Sequence, residues 1–125
     1  SVWAATPADV VRILDSLTPG TPGWHPLPSA LADVMVQTVP GVQFPEPEKR
    51  TFGLGIIVWP DGSWGHTGSV ENTQTIVAHR PDGVTFSILV SGTPVGGSDD
   101  LRTVFDEALA AAGISFARPS APAAE

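Results

Sequence analysis

Proline and glycine set the outer limits on any fold this chain can adopt. Thirteen of each occur among 125 residues. Many gather in runs, from Pro19 to Pro28, from Pro40 to Pro47, and in the Pro/Ala-rich stretch Arg118 to Glu125. Proline removes a backbone donor and fixes φ, and glycine is entropically costly to hold inside a helix or strand. Regular structure is therefore confined to short segments between these runs, and residues 118–125 are expected to form a disordered tail.

Within those segments the apolar spacing is readable. Thr6-Pro7-Ala8-Asp9 is a helix start, with Thr6 as cap, Pro7 at the first helical position and Asp9 at the third. Val10, Ile13, Leu14 and Leu17 then recur at helical spacing, which predicts a helix ending before Pro19-Gly20. Leu31, Val34, Met35 and Thr38 predict a second, shorter helix capped by Ser29. Phe52 to Trp59 reads as one strand, Pro60-Asp61-Gly62-Ser63 as a turn, and Ser63 to Gly68 as a second strand. Gln74 to His79 and Thr85 to Val90 supply two more, joined by a hairpin at Pro81-Asp82-Gly83. A last helix is predicted over Asp99 to Ala112, capped by Ser98 or Asp99 and closed by Gly113. Its buried face is Leu101, Val104, Phe105, Ala108 and Leu109.

The expected class is α+β: an antiparallel meander of three to four strands, with N-terminal helices and a C-terminal helix packed on it. One domain over residues 1–117 is expected. The last helix covers one sheet face. The other face requires the first two helices, or something outside the chain.

Composition removes several function classes. The formal net charge is −7, from 13 acidic and 6 basic residues. Nucleic acid is a poor partner for such a surface, because phosphate binding needs clustered Lys and Arg. The chain has no cysteine, so disulfides and Cys-zinc sites are excluded. No apolar run approaches the roughly 20 residues of a membrane-spanning helix. No cofactor is expected. His79, Asp82 and Glu71 fit no metal-ligand spacing, and no metal site is expected. Ser1-Val2-Trp3 leads almost directly into a helix signal with no signal peptide, as expected for the interior of a longer polypeptide.

The chemistry-bearing segment is Trp64-Gly65-His66-Thr67-Gly68-Ser69, lying after Phe52-Gly53-Leu54-Gly55. A helix start, Trp3-Ala4-Ala5-Thr6-Pro7-Ala8-Asp9-Val10, precedes both, and the Pro81-Asp82-Gly83 turn follows. In this order the segments resemble the C-terminal part of a class C β-lactamase-type or D,D-peptidase-like serine hydrolase, of the penicillin-recognising superfamily. The resemblance covers most of the chain. It implies a partial β-lactamase/transpeptidase-like fold, in which an all-helical region meets an antiparallel sheet at the active site. In that family an N-terminal helix brings the Ser-x-x-Lys nucleophile and base. A Tyr-x-Asn or Ser-x-Asn loop adds a proton-transfer partner, and the Lys/His-Thr-Gly strand forms the opposite wall.

The resemblance assigns roles to four residues. Thr67 would hold a substrate carboxylate through its hydroxyl, and His66 would add a positive or hydrogen-bonding group beside it. Gly68 would let the substrate backbone approach closely. The Ser69 N–H would be the second oxyanion donor. His in place of Lys resembles the D,D-peptidase and esterase branches more than the efficient β-lactamases. The departures are as informative. The only lysine is Lys49, with Glu46 three residues before it, so no Ser-x-x-Lys exists. Tyrosine is absent. No catalytic side chain is therefore expected in this chain, and alone it should not carry out acyl transfer.

Ordinary readings stand beside these. His66 also fits a plain strand residue, and Thr67-Gly68 a β residue and a bulge. Ser69 has no neighbour resembling an activating base. His25 and His79 read as structural or exposed. Trp59 and Trp64 read as packing anchors, with Trp64 also suited to a cleft wall. Trp3 and Trp24 are expected to cover the sheet or a neighbouring domain. Asp99-Asp100 reads as a helix start.

Three functions follow. The first is a portion of a serine hydrolase whose partner is a missing N-terminal catalytic segment or a complementary chain, acting on peptide, β-lactam or ester-like substrates. A cell-envelope or secreted location follows from the resemblance only. The second is a stand-alone, non-catalytic peptide-binding or interaction module using strand addition. The third is an unrelated α+β domain. The first expects exposed apolar surface, and the second a well-covered sheet.

Overall fold

The computed structural model describes residues 4–42, 45–46, 49–92 and 96–115. Trp3, and the tail expected over 118–125, lie outside the described residues. The first helix, α1, spans Pro7–Ser16 and begins with a complete capping box between Thr6 and Asp9. The Thr6 hydroxyl accepts from the Asp9 N–H at 3.2 Å, and the Asp9 carboxylate accepts from the Thr6 N–H at 3.1 Å. Past its C-terminus, Thr18 folds its hydroxyl back onto the Leu14 carbonyl at 3.1 Å. The second helix, α2, spans Ser29–Met35 and stops short of Thr38. Ser29 is not its cap. Pro28 holds the N-cap position in extended conformation, and no side chain caps there.

The segment expected as one strand from Phe52 to Trp59 is a hairpin. Strand β1 is Thr51–Phe52 and β2 is Ile57–Val58, paired antiparallel. Glycine breaks the run. Gly55 sits at φ +73°, which strains a residue bearing a Cβ, and Gly53 donates to the Ile56 carbonyl at 2.9 Å to close the turn. The next strands are β3, Trp64–Val70; β4, Thr73–His79; and β5, Thr85–Ser91. The sheet therefore has five strands in the order β1-β2-β3-β4-β5, an antiparallel meander.

The pleat sends alternate residues to opposite faces. One face carries Ile57, Trp59, Ile76, Ala78 and Phe86, and buries Leu101 and Phe105 of the last helix, α3, Asp100–Ala111. Phe86 and Phe105 stack with ring centroids 3.9 Å apart. Ile57 and Ile76 are each 1% exposed. Each such side chain contributes about 1.5–3 kcal/mol of burial. The opposite face carries Trp64 and Val77 and buries Leu14 of α1, with Ile56, Leu17, Met35 and Val36 completing a second core. Trp59 and Trp64 thus anchor opposite faces. Trp24 does not cover the sheet; it is 77% exposed.

The start of α3 differs from the expected cap. Asp99 occupies the N-cap position with no side-chain bond to the helix. Its carboxylate instead accepts from Arg50 at 2.8 Å and from the Trp59 indole at 3.4 Å. The Ser98 hydroxyl donates across to the Gly68 carbonyl at 2.9 Å. Two further arginines pin α3 to the sheet. Arg80, from the β4–β5 hairpin, pairs with Asp82 and Asp106. Arg102 lies over the Trp59 ring, 4.6 Å from its centroid, and pairs with Asp61.

Candidate functional site

Strand β3 holds the Gly65-His66-Thr67-Gly68-Ser69 segment, and its two edges are treated differently. Along β4 it pairs over its full length, from Trp64↔His79 to Val70↔Thr73. Along β2 it pairs only at Trp64 and Gly65. From His66 to Val70 the outer edge has no strand beside it among the described residues.

Ladder geometry fixes which backbone groups face that edge. The Ser63 carbonyl accepts from Trp59 N–H at 2.9 Å, so Ser63 points toward β2. Successive residues of a strand alternate, which directs Gly65, Thr67 and Ser69 the same way. Thr67 and Ser69 therefore offer N–H and C=O to the open edge, while His66, Gly68 and Val70 bond inward to β4. The His66 ring then changes the balance. Its Nδ1 lies 2.6 Å from the Thr67 carbonyl oxygen, an acceptor, so Nδ1 carries the proton and donates. That bond occupies Thr67 C=O. The edge is left rich in donors: the N–H groups of Thr67 and Ser69, against the carbonyl of Ser69.

The four expected site residues are adjacent in sequence but divided by the pleat. His66 and Gly68 project on the α1 side, and Thr67 and Ser69 on the α3 side. A Cβ at Gly68 would lie 2.6 Å from the Thr75 hydroxyl, which would have to turn aside. On the same face lies a cleft of about 170 Å³. Its lining includes Val10 of α1, His66, Thr75, Val77, Ser87 and Leu89. The Ser87 hydroxyl is buried and has no hydrogen-bond partner. Leaving such a group unpaired costs about 1–3 kcal/mol.

A second polar group on the same face ties α1 to the sheet. Thr85 donates its hydroxyl proton to Asp15 at 2.5 Å and accepts from His79 Nδ1 at 2.8 Å. The His79 ring also lies 5.3 Å from the Trp64 ring. Burial pushes the His79 imidazole below its ordinary 6.5, against the opposing pull of Asp15 and Asp82. A depressed histidine favours the folded state while neutral. Its contribution is complete above about 6.5, where the unfolded-state ring is also neutral, and is lost as pH falls through the lower folded-state value. Urea unfolding between about pH 8 and pH 5 should show stability falling on the acid side, and falling less steeply in His79→Gln. Equal slopes in the two proteins would rule out His79 as the source.

His25 is structural in the plain sense. Its two ring nitrogens lie 2.9 Å from the Ser16 carbonyl and 2.7 Å from the Thr21 carbonyl, fastening the loop to the end of α1. His79, Asp82 and Glu71 do not assemble, and among the described residues no group of three or more His, Asp or Glu is placed to hold a metal ion. No helix among the described residues is long and apolar enough to cross a membrane. Ser87, Thr85 and Asp15 belong to no motif in the sequence. Only the period-2 placement of Ser87 with Leu89, opposite Phe86 and Ile88, hints at a shared face. Compared with protein-family models, curated proteins and solved structures, the chain matches none.

Proposed function

We propose that this chain forms the substrate-binding wall of a serine hydrolase of the β-lactamase and penicillin-recognising type. The nucleophile-bearing segment belongs to an N-terminal catalytic part or a complementary chain. The observation that carries this reading is the unpaired outer edge of β3, with the Ser69 N–H directed to it and the Thr67 carbonyl occupied by His66. A donor-rich edge suits an acyl substrate. Its carbonyl oxygen gains negative charge when a serine attacks, and a fixed N–H stabilises that charge without reorganising. An extended peptide, a β-lactam or an ester places that oxygen against Ser69 while its own backbone runs along the strand. His66 contributes to a substrate carboxylate only as imidazolium, since a neutral ring donating from Nδ1 presents Nε2 as an acceptor. The exposed Ile13, Leu31, Val34, Leu54 and Val70 supply apolar surface for the complementary part.

The test is the intact mass of the native protein in its source cells, together with labelling by a fluorescent penicillin. A product substantially longer than 13.0 kDa, labelled on the serine of a Ser-x-x-Lys, supports the reading. A native product of 13.0 kDa with no co-purifying partner and no label overturns it. A second reading has its own support. Both faces of the sheet carry a core built from the chain's own helices. That favours a stand-alone module binding peptides along the same edge by strand addition.

A further inference from the structure

The cleft behind His66 has a character of its own. It starts at β3, crosses β4 and ends on β5 under Val10 of α1. Val10, Val77 and Leu89 make its walls apolar, and no Lys, Arg, Asp or Glu lines it. At its β5 end stands Ser87, whose hydroxyl has no partner. Ser87 is itself part of the lining, so this unpartnered hydroxyl belongs to the wall of the cleft. At the β3 end the cleft is bounded by His66, with Thr75 beside it on β4. A cavity of about 150 Å³ holds a molecule the size of benzene, and this one measures about 170 Å³.

We propose that this cleft is a binding pocket for a neutral aliphatic group of about six carbons that ends in a hydrogen-bonding carbonyl or amide, with the apolar part against Val10, Val77 and Leu89 and the polar tip on Ser87. Neutrality follows from the inner end of the lining: His66 stands at the β3 mouth, whereas Val10, Val77, Ser87 and Leu89 offer no countercharge to an ion buried among them. The pocket adjoins the open edge of β3 without depending on it, and binding is read without any turnover.

The test titrates the full chain with hexanamide, butyramide and hexanoate while recording amide NMR shifts. Hexanamide is expected to produce saturable shifts at Val10, Val77, Ser87 and Leu89 with Kd on the order of 1 mM. Butyramide should bind about fourfold more weakly for each methylene removed. Hexanoate should bind more weakly than hexanamide. Ser87→Ala should weaken hexanamide by about 2- to 10-fold, and Leu89→Phe should abolish the shifts by filling the cleft. No saturable shift by about 20 mM would overturn the pocket. So would equal affinity for the two amides, or wild-type binding by both variants.

Discussion

Gly65→Ala is expected to remove about 3 kcal/mol or more of folding stability, enough to unfold much of a domain whose total is about 5–15 kcal/mol. The cause is backbone, not side-chain, crowding. A Cβ at residue 65 would lie 2.0 Å from the Val77 carbonyl oxygen and 2.8 Å from the Ala78 Cα, where β3 is paired on both sides, with β2 and with β4. No rotamer relieves that contact. The two strands must separate, and Ala78, fully buried, with Ile76 at 1% exposed, separates with them. Gly55 is the comparison. It stands at φ +73° with open space where a Cβ would go, so Gly55→Ala costs only the backbone strain, about 1–2 kcal/mol. Urea unfolding of both variants checks the ranking. A Gly65→Ala loss below that of Gly55→Ala would mean that the strands yield more easily than packed sheets do.

Ser69→Pro is the counterpart for function. Proline deletes the N–H directed to the open edge, and that N–H takes no part in the β3–β4 ladder. If the proposed hydrolase reading holds, kcat/KM of the assembly with its nucleophile-bearing part should fall about 10²–10³-fold, the usual effect of losing one oxyanion donor. Ser69→Ala keeps the N–H and should retain most of the rate. Far-ultraviolet circular dichroism and the unfolding midpoint should change little in either variant. Turnover by Ser69→Pro within about threefold of wild type would remove the oxyanion role, since a donor of this kind is worth about 3 kcal/mol or more in the transition state.

The parts of the fold that showed in the sequence are those fixed by local chemistry. The Thr6–Asp9 capping box, the ends of β4 and β5, and the Leu101 and Phe105 part of the α3 face follow from residues close in sequence, whereas Val104 and Ala108, expected on that face, are exposed. The hairpin inside Phe52 to Trp59 was hidden, because its Ile and Val content argues for a strand while only Gly53 and Gly55 argue against one. What decides between them is distant. A Cβ on Gly53 would lie 2.2 Å from the Met35 carbonyl at the end of α2. The cap expected at Ser98 gives way for a related reason. A short polar residue near a helix start is also free to bond elsewhere, and Ser98 reaches a strand 30 residues away in sequence. At the candidate site, the spacing indicated which residues sit together on β3. It was silent on the carbonyl that His66 occupies and on Ser87 and Thr85, whose roles depend on α1 lying across β4 and β5.

The arginine pins on α3 carry a consequence for how the molecule responds to salt. Arg50, Arg80 and Arg102 are half of the chain's six basic residues, and all three serve the α3 face. Added electrolyte weakens such partly exposed pairs, with a screening length of about 10 Å at 0.1 M, while it also relaxes the mutual repulsion within a chain of net charge −7. The two effects fall on different places. The repulsion is spread over the whole surface, whereas the pins are concentrated on one helix. Ionic strength therefore redistributes firmness within the molecule, loosening the α3 side relative to the α1 side, where Leu14, Ile56 and Trp64 hold by apolar contact.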